Sequence, residues 1–273
     1  MNIRYASLLV RNGQDAYALV DDGRWSQASG ALFLVTESHN RAKPRAGQMA
    51  RLAARTIYDT YYANPAADRL SVLREAIDRA QAEMIAASPT AEADCVAVLA
   101  HQGLLFIVNI GATRVYTLDL SGVFVHTGQG QLNGRLGATA VPNVETWIHT
   151  LEQVVLMLGT RGFYQAIPDA EVKAAMRGTR QPEDITLRLL ARWIARPEPG
   201  ETEGAAAIVI LAGKNVFDPS SFGDEDAVVQ REPRPRGPQG TLDAHAQATA
   251  QDDTMPIVAR TGGARFTQEP DNA

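Results

Sequence analysis

The hydrophobic pattern of the first 215 residues alternates between the spacing of strands and the spacing of helices. Apolar side chains recur every three to four residues in two long segments, 45–62 and 67–87, and an X-Pro pair follows each one. Short apolar runs between turn residues predict strands before and after these helices. The predicted strands are 6–10, 15–20, 30–35, 95–101, 104–110, 113–118, 123–126, 145–149, 154–159 and 205–211, with further helices at 170–176 and 182–194.

Two early helices set among many strands predict an α+β fold of stacked antiparallel sheets flanked by helices. Neighbouring strands are separated by short turns, such as Gln102-Gly103, which is typical of a β-hairpin. The alternation continues to the strand at 205–211 and then stops. The sequence therefore predicts one folded domain over residues 1–215.

The composition changes after Phe217. Six of the fourteen prolines lie beyond that point, among many Gly, Gln, Asp and Thr residues, and no periodicity is sustained. From Asp218 onward the net charge is -5, which equals the formal net charge of the whole chain. Residues 216–273 are therefore predicted to be a disordered, acidic, Pro- and Gly-rich tail.

Composition also limits the partners and the location of the protein. A formal net charge of -5 argues against nucleic acid as a partner. No apolar run approaches the roughly 20 residues that span a bilayer, so no membrane contact and a cytoplasmic location are expected. A single cysteine, Cys95, excludes an intrachain disulfide and a zinc site built from thiolates.

Six different short motifs follow one another along residues 1–212, and their order and spacing are informative. Together they resemble the PPM (protein phosphatase 2C-like) family of metal-dependent serine/threonine phosphatases, which implies a PPM-type sandwich of two antiparallel β-sheets flanked by helices. The motifs are Arg11 with Gly13-Gln14-Asp15, Val35-Thr36-Glu37-Ser38 leading to Gly47-Gln48-Met49-Ala50, Leu73-Arg74-Glu75-Ala76-Ile77, Asn109-Ile110-Gly111-Ala112-Thr113-Arg114-Val115-Tyr116, Leu158-Gly159-Thr160-Arg161-Gly162-Phe163 and Gly204-Ala205-Ala206-Ala207.

The resemblance also implies which residues would hold metal. Family members bind two divalent ions, usually Mn²⁺ or Mg²⁺, through Asp carboxylates, and the ions activate water and clamp the phosphate. Here Asp15 is kept, and Glu37 keeps the charge with oxygens roughly 1.5 Å farther out. These two are the vestigial metal ligands, whereas three other Asp positions of the family have changed. Those degenerate positions are Ala112, Arg161 and Gly204.

Arg161 places a positive charge where the family has a metal-binding Asp. Each unit-charge contact is worth about 4 kcal/mol at about 4 Å and an effective dielectric near 20, so the reversed sign opposes a dication strongly. We therefore expect no cofactor, with Mn or Mg as the alternative. A guanidinium suits phosphate oxygens, and it also pairs with carboxylates. Arg11 and Arg161 are the phosphate-binding candidates.

These replacements predict a catalytically impaired phosphatase-like protein, a pseudophosphatase that acts as a binding or regulatory module in Ser/Thr phosphorylation signalling. Its expected partners are a phosphoprotein, a Ser/Thr kinase or an active phosphatase. The alternative is a divergent but active phosphatase that uses Asp15 and Glu37. A third hypothesis is a structural subunit whose cleft is filled by side chains. In the tail, Thr254 follows Asp252-Asp253 and precedes Ile257 by three residues, which predicts a phosphosite for a phosphothreonine-binding domain.

Overall fold

The computed structural model describes residues 2–10, 16–19, 28–38, 46–118, 123–127, 134–137, 142, 144–150, 153–196, 205–213 and 257–265. The helices are α1 Ala46–Ala63, α2 Arg69–Ala87, α3 Arg161–Ala166, α4 Asp169–Gly178 and α5 Pro182–Ile194. The strands are β1 Asn2–Val10, β2 Ala16–Leu19, β3 Ala31–Ser38, β4 Ala93–His101, β5 Leu104–Ile110, β6 Arg114–Leu118, β7 Val123–Thr127, β8 Val144–Thr150, β9 Gln153–Gly159, β10 Ala205–Gly213 and β11 Ile257–Arg265.

The strands form two antiparallel sheets. One sheet has six strands in the order β11-β1-β10-β9-β6-β7, and the other has five in the order β2-β3-β4-β5-β8. The order is non-sequential because β1 pairs with β10, a strand almost 200 residues away. The predicted α+β sandwich is therefore confirmed.

Three layers of apolar side chains hold the sandwich together. Residues of alternate parity in the strands point to opposite faces, so each sheet contributes to two layers. The middle layer lies between the sheets and includes Phe33, Val98 and Ile208, all completely buried. The two outer layers lie under the helices, with α1 and α2 covering the five-stranded sheet and α3, α4 and α5 covering the six-stranded one. Both faces of the central strands are therefore buried, which accounts for their nearly continuous apolar sequences.

Two elements differ from the sequence-based expectations. The helix α3 was not predicted, because six residues that include a glycine are too few to show helical periodicity. The strand β11 lies inside the segment 216–273, for which composition predicts disorder, and it pairs with β1 along nine residues. Residues 257–265 are thus described as a strand, the rest of that segment lies outside the described residues, and the disordered tail stays a prediction. None of the described helices combines the length and the apolar character needed to cross a membrane.

A buried arginine joins the two long helices. Arg69 begins α2 and its guanidinium lies 4.1 Å from the centre of the Tyr61 ring in α1. The same group donates to the carbonyl oxygens of Tyr61 and Asn64 at 3.0 and 2.7 Å. These bonds satisfy carbonyl groups at the end of α1 that have no partner within the helix.

His101, the last residue of β4, makes stability depend on pH. Its ring is buried, and Nδ1 has no hydrogen-bond partner in the described part of the chain. Burial first, and the charge of Arg69 second, lower the pKa of His101 from its usual 6.5. The unfolded chain therefore takes up the proton more readily, so this contribution to stability is present above pH 6.5 and is lost as the pH falls.

We expect the free energy of unfolding in urea to decrease between about pH 7.5 and about pH 5.5, and the decrease to be smaller in His101→Gln. His149→Gln is the control, because His149 lies on the edge strand β8. An equal pH dependence in wild type and His101→Gln would contradict the assignment.

Candidate functional site

One end of the sandwich brings charged residues from both sheets together. The end of β3, the start of β4 and the turn between β5 and β6 meet the start of α3 there. We call Glu37, Asp94, Ala112, Arg161 and Tyr164 the sandwich-end site.

Two buried carboxylates form the floor of this site. Glu37 and Asp94 are direct partners in the antiparallel pairing of β3 with β4, and both are completely buried. Glu37 is two positions from Val35 and Asp94 is two positions from Val96. Since Val35 and Val96 belong to the middle layer and residues two apart share a face, both carboxylates lie on the inner face of the sheet. Like charges directly opposite each other are destabilising unless other groups compensate them.

Each carboxylate has a compensating partner from another part of the chain. The Nε of Arg135 donates to Oδ1 of Asp94 at 3.1 Å, and the same guanidinium lies 3.1 Å from Glu92. The backbone N–H of Gly162 donates to Oε2 of Glu37 at 3.2 Å, across the gap between the sheets. Glu37 therefore connects β3 to α3, and Asp94 connects β4 to the segment around Leu136.

A glycine allows the backbone to approach Asp94 closely. Gly111 has a φ of +81°, in the region that favours glycine, and a Cβ built there would lie 1.8 Å from Oδ1 of Asp94. The neighbouring residue, Ala112, is the position where the family has an Asp.

Tyr164 lies beside Ala112. Its hydroxyl donates to the Ala112 carbonyl oxygen at 2.5 Å, and the guanidinium of Arg114 stacks on its ring at 4.0 Å. Burial first, and then the carboxylates Asp94 and Glu37, raise the pKa of Tyr164, whereas the charges of Arg114 and Arg161 oppose the rise.

Arg161 is the first residue of α3 and is half-buried. The turn before it is held by Thr160, whose backbone N–H donates to the carbonyl oxygen of Ala206 and whose hydroxyl accepts from the Ala206 N–H. Because both hydrogen bonds join this turn to Ala206 of β10, the backbone just before Arg161 is held against the sheet.

Farther out, Arg114 connects the site to α4. It forms an ion pair with Asp169 at 2.5 Å, and the hydroxyl of Tyr116 donates to the same carboxylate at 2.7 Å. Burial is the largest cause that raises the pKa of Tyr116, followed by this hydrogen bond. Arg114 is thus held between a carboxylate and an aromatic ring.

Of the residues predicted from the sequence, the structure brings Glu37, Ala112 and Arg161 to one place. The candidates Arg11, Asp15, Gly204 and Thr254 lie outside the described residues, and their roles stay predictions. Ala16, which follows Asp15, is the cross-strand partner of Glu37.

Sequence reasoning missed other residues of the site and its surroundings. Asp94 is the second residue of the mostly apolar strand β4. A lone carboxylate in such a run was the feature of the sequence that could have indicated it. Arg135 and Tyr164 carried no signal, because only folding brings them next to Asp94 and Ala112.

Comparison with solved structures identifies the fold. The serine/threonine phosphatase PstP/Ppp of Mycobacterium tuberculosis aligns with a TM-score of 0.60 and 15% identity, over 78% of this chain and 100% of that one. The PPM Ser-Thr phosphatase MsPP of Mycobacterium smegmatis, in complex with cacodylate, gives 0.58 and 17%, over 77% and 98%. The catalytic domain of PstP in complex with two manganese ions gives 0.55 and 15%, over 76% and 100%.

No protein-family model and no curated protein matches this sequence. The structural matches alone show that the chain has the fold of the PPM-type Ser/Thr phosphatases, as the resemblance of its motifs predicted.

The comparison corrects one expectation. The sequence predicted no cofactor, whereas a structure of the same fold holds two manganese ions, so that prediction is wrong as a statement about this fold. The described residues alone do not complete a comparable donor set, since no group of three His, Cys, Asp or Glu side chains among them is suited to a metal ion. Of the residues predicted at these positions, Glu37 has a carboxylate bound by the Gly162 N–H.

Proposed function

We propose that this chain is a phosphatase-like module with impaired catalysis, which binds a phosphorylated Ser/Thr segment of another protein in the cytoplasm. The observation that carries this proposal is the place of Arg161. It is the half-buried first residue of α3, directly before Gly162, whose N–H binds the Glu37 carboxylate, in a fold shared with Ser/Thr phosphatases. The proposal concerns turnover and phosphoprotein binding.

Two contacts support impaired turnover. The Glu37 carboxylate accepts the Gly162 N–H at Oε2, so this oxygen is directed toward α3. At the second position, Ala112 has no carboxylate and its carbonyl oxygen accepts the Tyr164 hydroxyl. A phosphatase centre of the two-ion type relies on anionic oxygen ligands around both ions, and Ala112 supplies no such ligand.

Phosphate binding is supported by the chemistry of arginine. A guanidinium has five N–H donors in a planar fork, so it holds a phosphate with two of them while another donates to a protein carboxylate. The half-buried position of Arg161 gives such a ligand access to it. The cacodylate in MsPP is a tetrahedral oxyanion bound to a protein of this fold.

The test is the affinity of the full chain for a phosphothreonine peptide, measured by calorimetry. We expect Arg161→Ala to weaken binding at least tenfold, because it removes a charge-assisted bidentate contact. The control is Arg74→Ala, which removes the same charge from an exposed position on α2. Equal affinities for wild type and Arg161→Ala would contradict the proposal.

Hydrolysis is measured in parallel with a small aryl phosphate and with the phosphopeptide, at millimolar Mn²⁺. The proposal requires no turnover above the background without protein. Metal-dependent turnover that is lost on Asp15→Ala would instead establish the second candidate.

That second candidate is a divergent phosphatase, and one observation favours it. Glu37 and Asp94 place two buried carboxylates opposite each other at the sandwich-end site, next to the strand that begins after Asp15. If turnover is found, Asp94→Asn and Glu37→Gln distinguish the roles of the two carboxylates. Loss of a metal ligand will raise the metal concentration required, whereas loss of a general base will lower kcat alone.

A further inference from the structure

The outer edge of β1 is covered by a strand from the far end of the sequence. β11 pairs with β1 in antiparallel register from Val10 with Ile257 to Asn2 with Arg265. On its other side β1 pairs with β10, so β1 is internal and β11 is at the edge of the sheet. We propose that the β1 edge is a strand-acceptor site, that Ile257–Arg265 occupies it as a tethered ligand, and that its release lets the same sequence bind in trans.

The edge of β1 that faces β11 requires a neighbouring strand. Side chains of β1 are buried on both faces, with Ile3 and Tyr5 in the middle layer and Leu8 in the layer under the helices. Without β11, this nine-residue strand would present an unpaired row of N–H and C=O groups. Such an edge is a template for pairing with any extended chain.

The occupant is tethered by a long connection. Residues 214–256 lie between the end of β10 and the start of β11. β10 and β11 run in the same direction on either side of β1, so the end of β10 and the start of β11 are separated by roughly 26 Å along β1, which is eight steps of about 3.3 Å. Flexible linkers of this number of residues have a root-mean-square span of about 36 Å. The number of residues is therefore sufficient for the separation, and linkers of this kind give a tethered segment an effective concentration of about millimolar.

The sequence of β11 is suited to reversible binding. It reads Ile-Val-Ala-Arg-Thr-Gly-Gly-Ala-Arg, with Gly262 and Gly263 in its interior. Interior glycines weaken a strand, because they lose more backbone entropy and offer no side chain for packing. Main-chain hydrogen bonds then supply most of the affinity, and these form equally well with a strand from the same chain or from another molecule.

The strand acceptor is inferred from the pairing of β11 with β1, and it does not depend on the function proposed above.

Two adjacent proline substitutions test the pairing in the full chain. In an edge strand, successive N–H groups point alternately toward the neighbouring strand and away from it. Of the two variants Arg260→Pro and Thr261→Pro, only one therefore removes an N–H that bonds to β1, and we call it the releasing variant. We expect that variant to release the strand and the other to retain it.

The measurement is amide hydrogen exchange of residues 2–10, followed by NMR. In the releasing variant, the β1 amides that face β11 should exchange at least tenfold faster, while those bonded to β10 stay protected. The other proline variant should remain within twofold of wild type. The pairing is rejected if both prolines have the same effect or if neither has one.

Binding in trans is tested with a fluorescent peptide of the sequence Ile257–Arg265. We expect the releasing variant to bind this peptide and the wild type not to bind it, because its own strand competes. A peptide with proline at the same disruptive position is the control and should not bind. Failure of the releasing variant to bind the unmodified peptide would overturn the acceptor site, even if the exchange data show release.

Discussion

Replacing Arg135 with methionine is expected to lower the free energy of unfolding by about 3 kcal/mol. The substitution leaves the Asp94 carboxylate without its guanidinium in a position that is completely buried and directly opposite Glu37. Removing one partner of a buried ion pair typically costs about 3–5 kcal/mol, and we take the lower end because the Arg135 side chain is 14% exposed. Methionine keeps much of the side-chain length, so lost packing contributes little. Urea denaturation measures the change.

The control for this variant is Arg79→Met. Arg79 also forms an ion pair, with Glu83 one helical turn away, but its side chain is 63% exposed. Exposed pairs of this kind contribute about 0.5 kcal/mol, so the two arginines separate the effect of burial from the effect of pairing. Adding Asp94→Asn to Arg135→Met should recover part of the loss, since it removes the buried charge that Arg135 compensates. Similar losses in Arg135→Met and Arg79→Met would contradict the role assigned to Asp94.

Gly111→Ala is expected to destabilise the protein by about 3 kcal/mol or more. A Cβ at this position would lie 1.8 Å from Oδ1 and 2.6 Å from the carboxyl carbon of Asp94, which is held by Arg135. The φ of +81° adds about 1 kcal/mol for any residue with a Cβ. Because interiors are densely packed, the carboxylate has to move and strain its own contacts. Thermal or urea unfolding measures the loss.

A second glycine provides the matched control for this prediction. Gly103 has a φ of +77°, and a Cβ built there meets nothing within 4 Å. Gly103→Ala therefore carries the backbone cost without the collision, and it should lose about 1 kcal/mol. Combining Gly111→Ala with Asp94→Ala removes the two colliding atoms, so the double variant should lose less than the sum of the single variants. Additive losses would show that the collision is relieved elsewhere.

The site could be predicted from the sequence only where a motif survived. Glu37 and Arg161 were found because their neighbours, Val35-Thr36 and Gly159-Thr160, preserve the order of family segments. Asp94, Arg135 and Tyr164 belong to no such segment. Their contacts connect residues separated by 41 positions for Arg135 and Asp94 and by 52 for Tyr164 and Ala112, and no local pattern records such contacts.

Amphipathic spacing along the chain by itself determined most of the secondary structure and the class of fold. The helices α1 and α2 and the strands β3 to β6 follow from periodicity and turn residues, because these patterns decide locally which face of an element can be buried. The order of the motifs also predicted that Arg161 stands at a position where the PPM family has an Asp.

Only the tertiary structure decided how these elements combine into a site. It placed Glu37 opposite Asp94, brought Gly162 to the Glu37 carboxylate and set Tyr164 on the Ala112 carbonyl. It also paired β11 with β1, although the composition around β11 is that of a disordered segment. The physical reason is the same in each case: pairing between distant strands and compensation of buried charge depend on which surfaces meet, and that is a property of the folded chain as a whole.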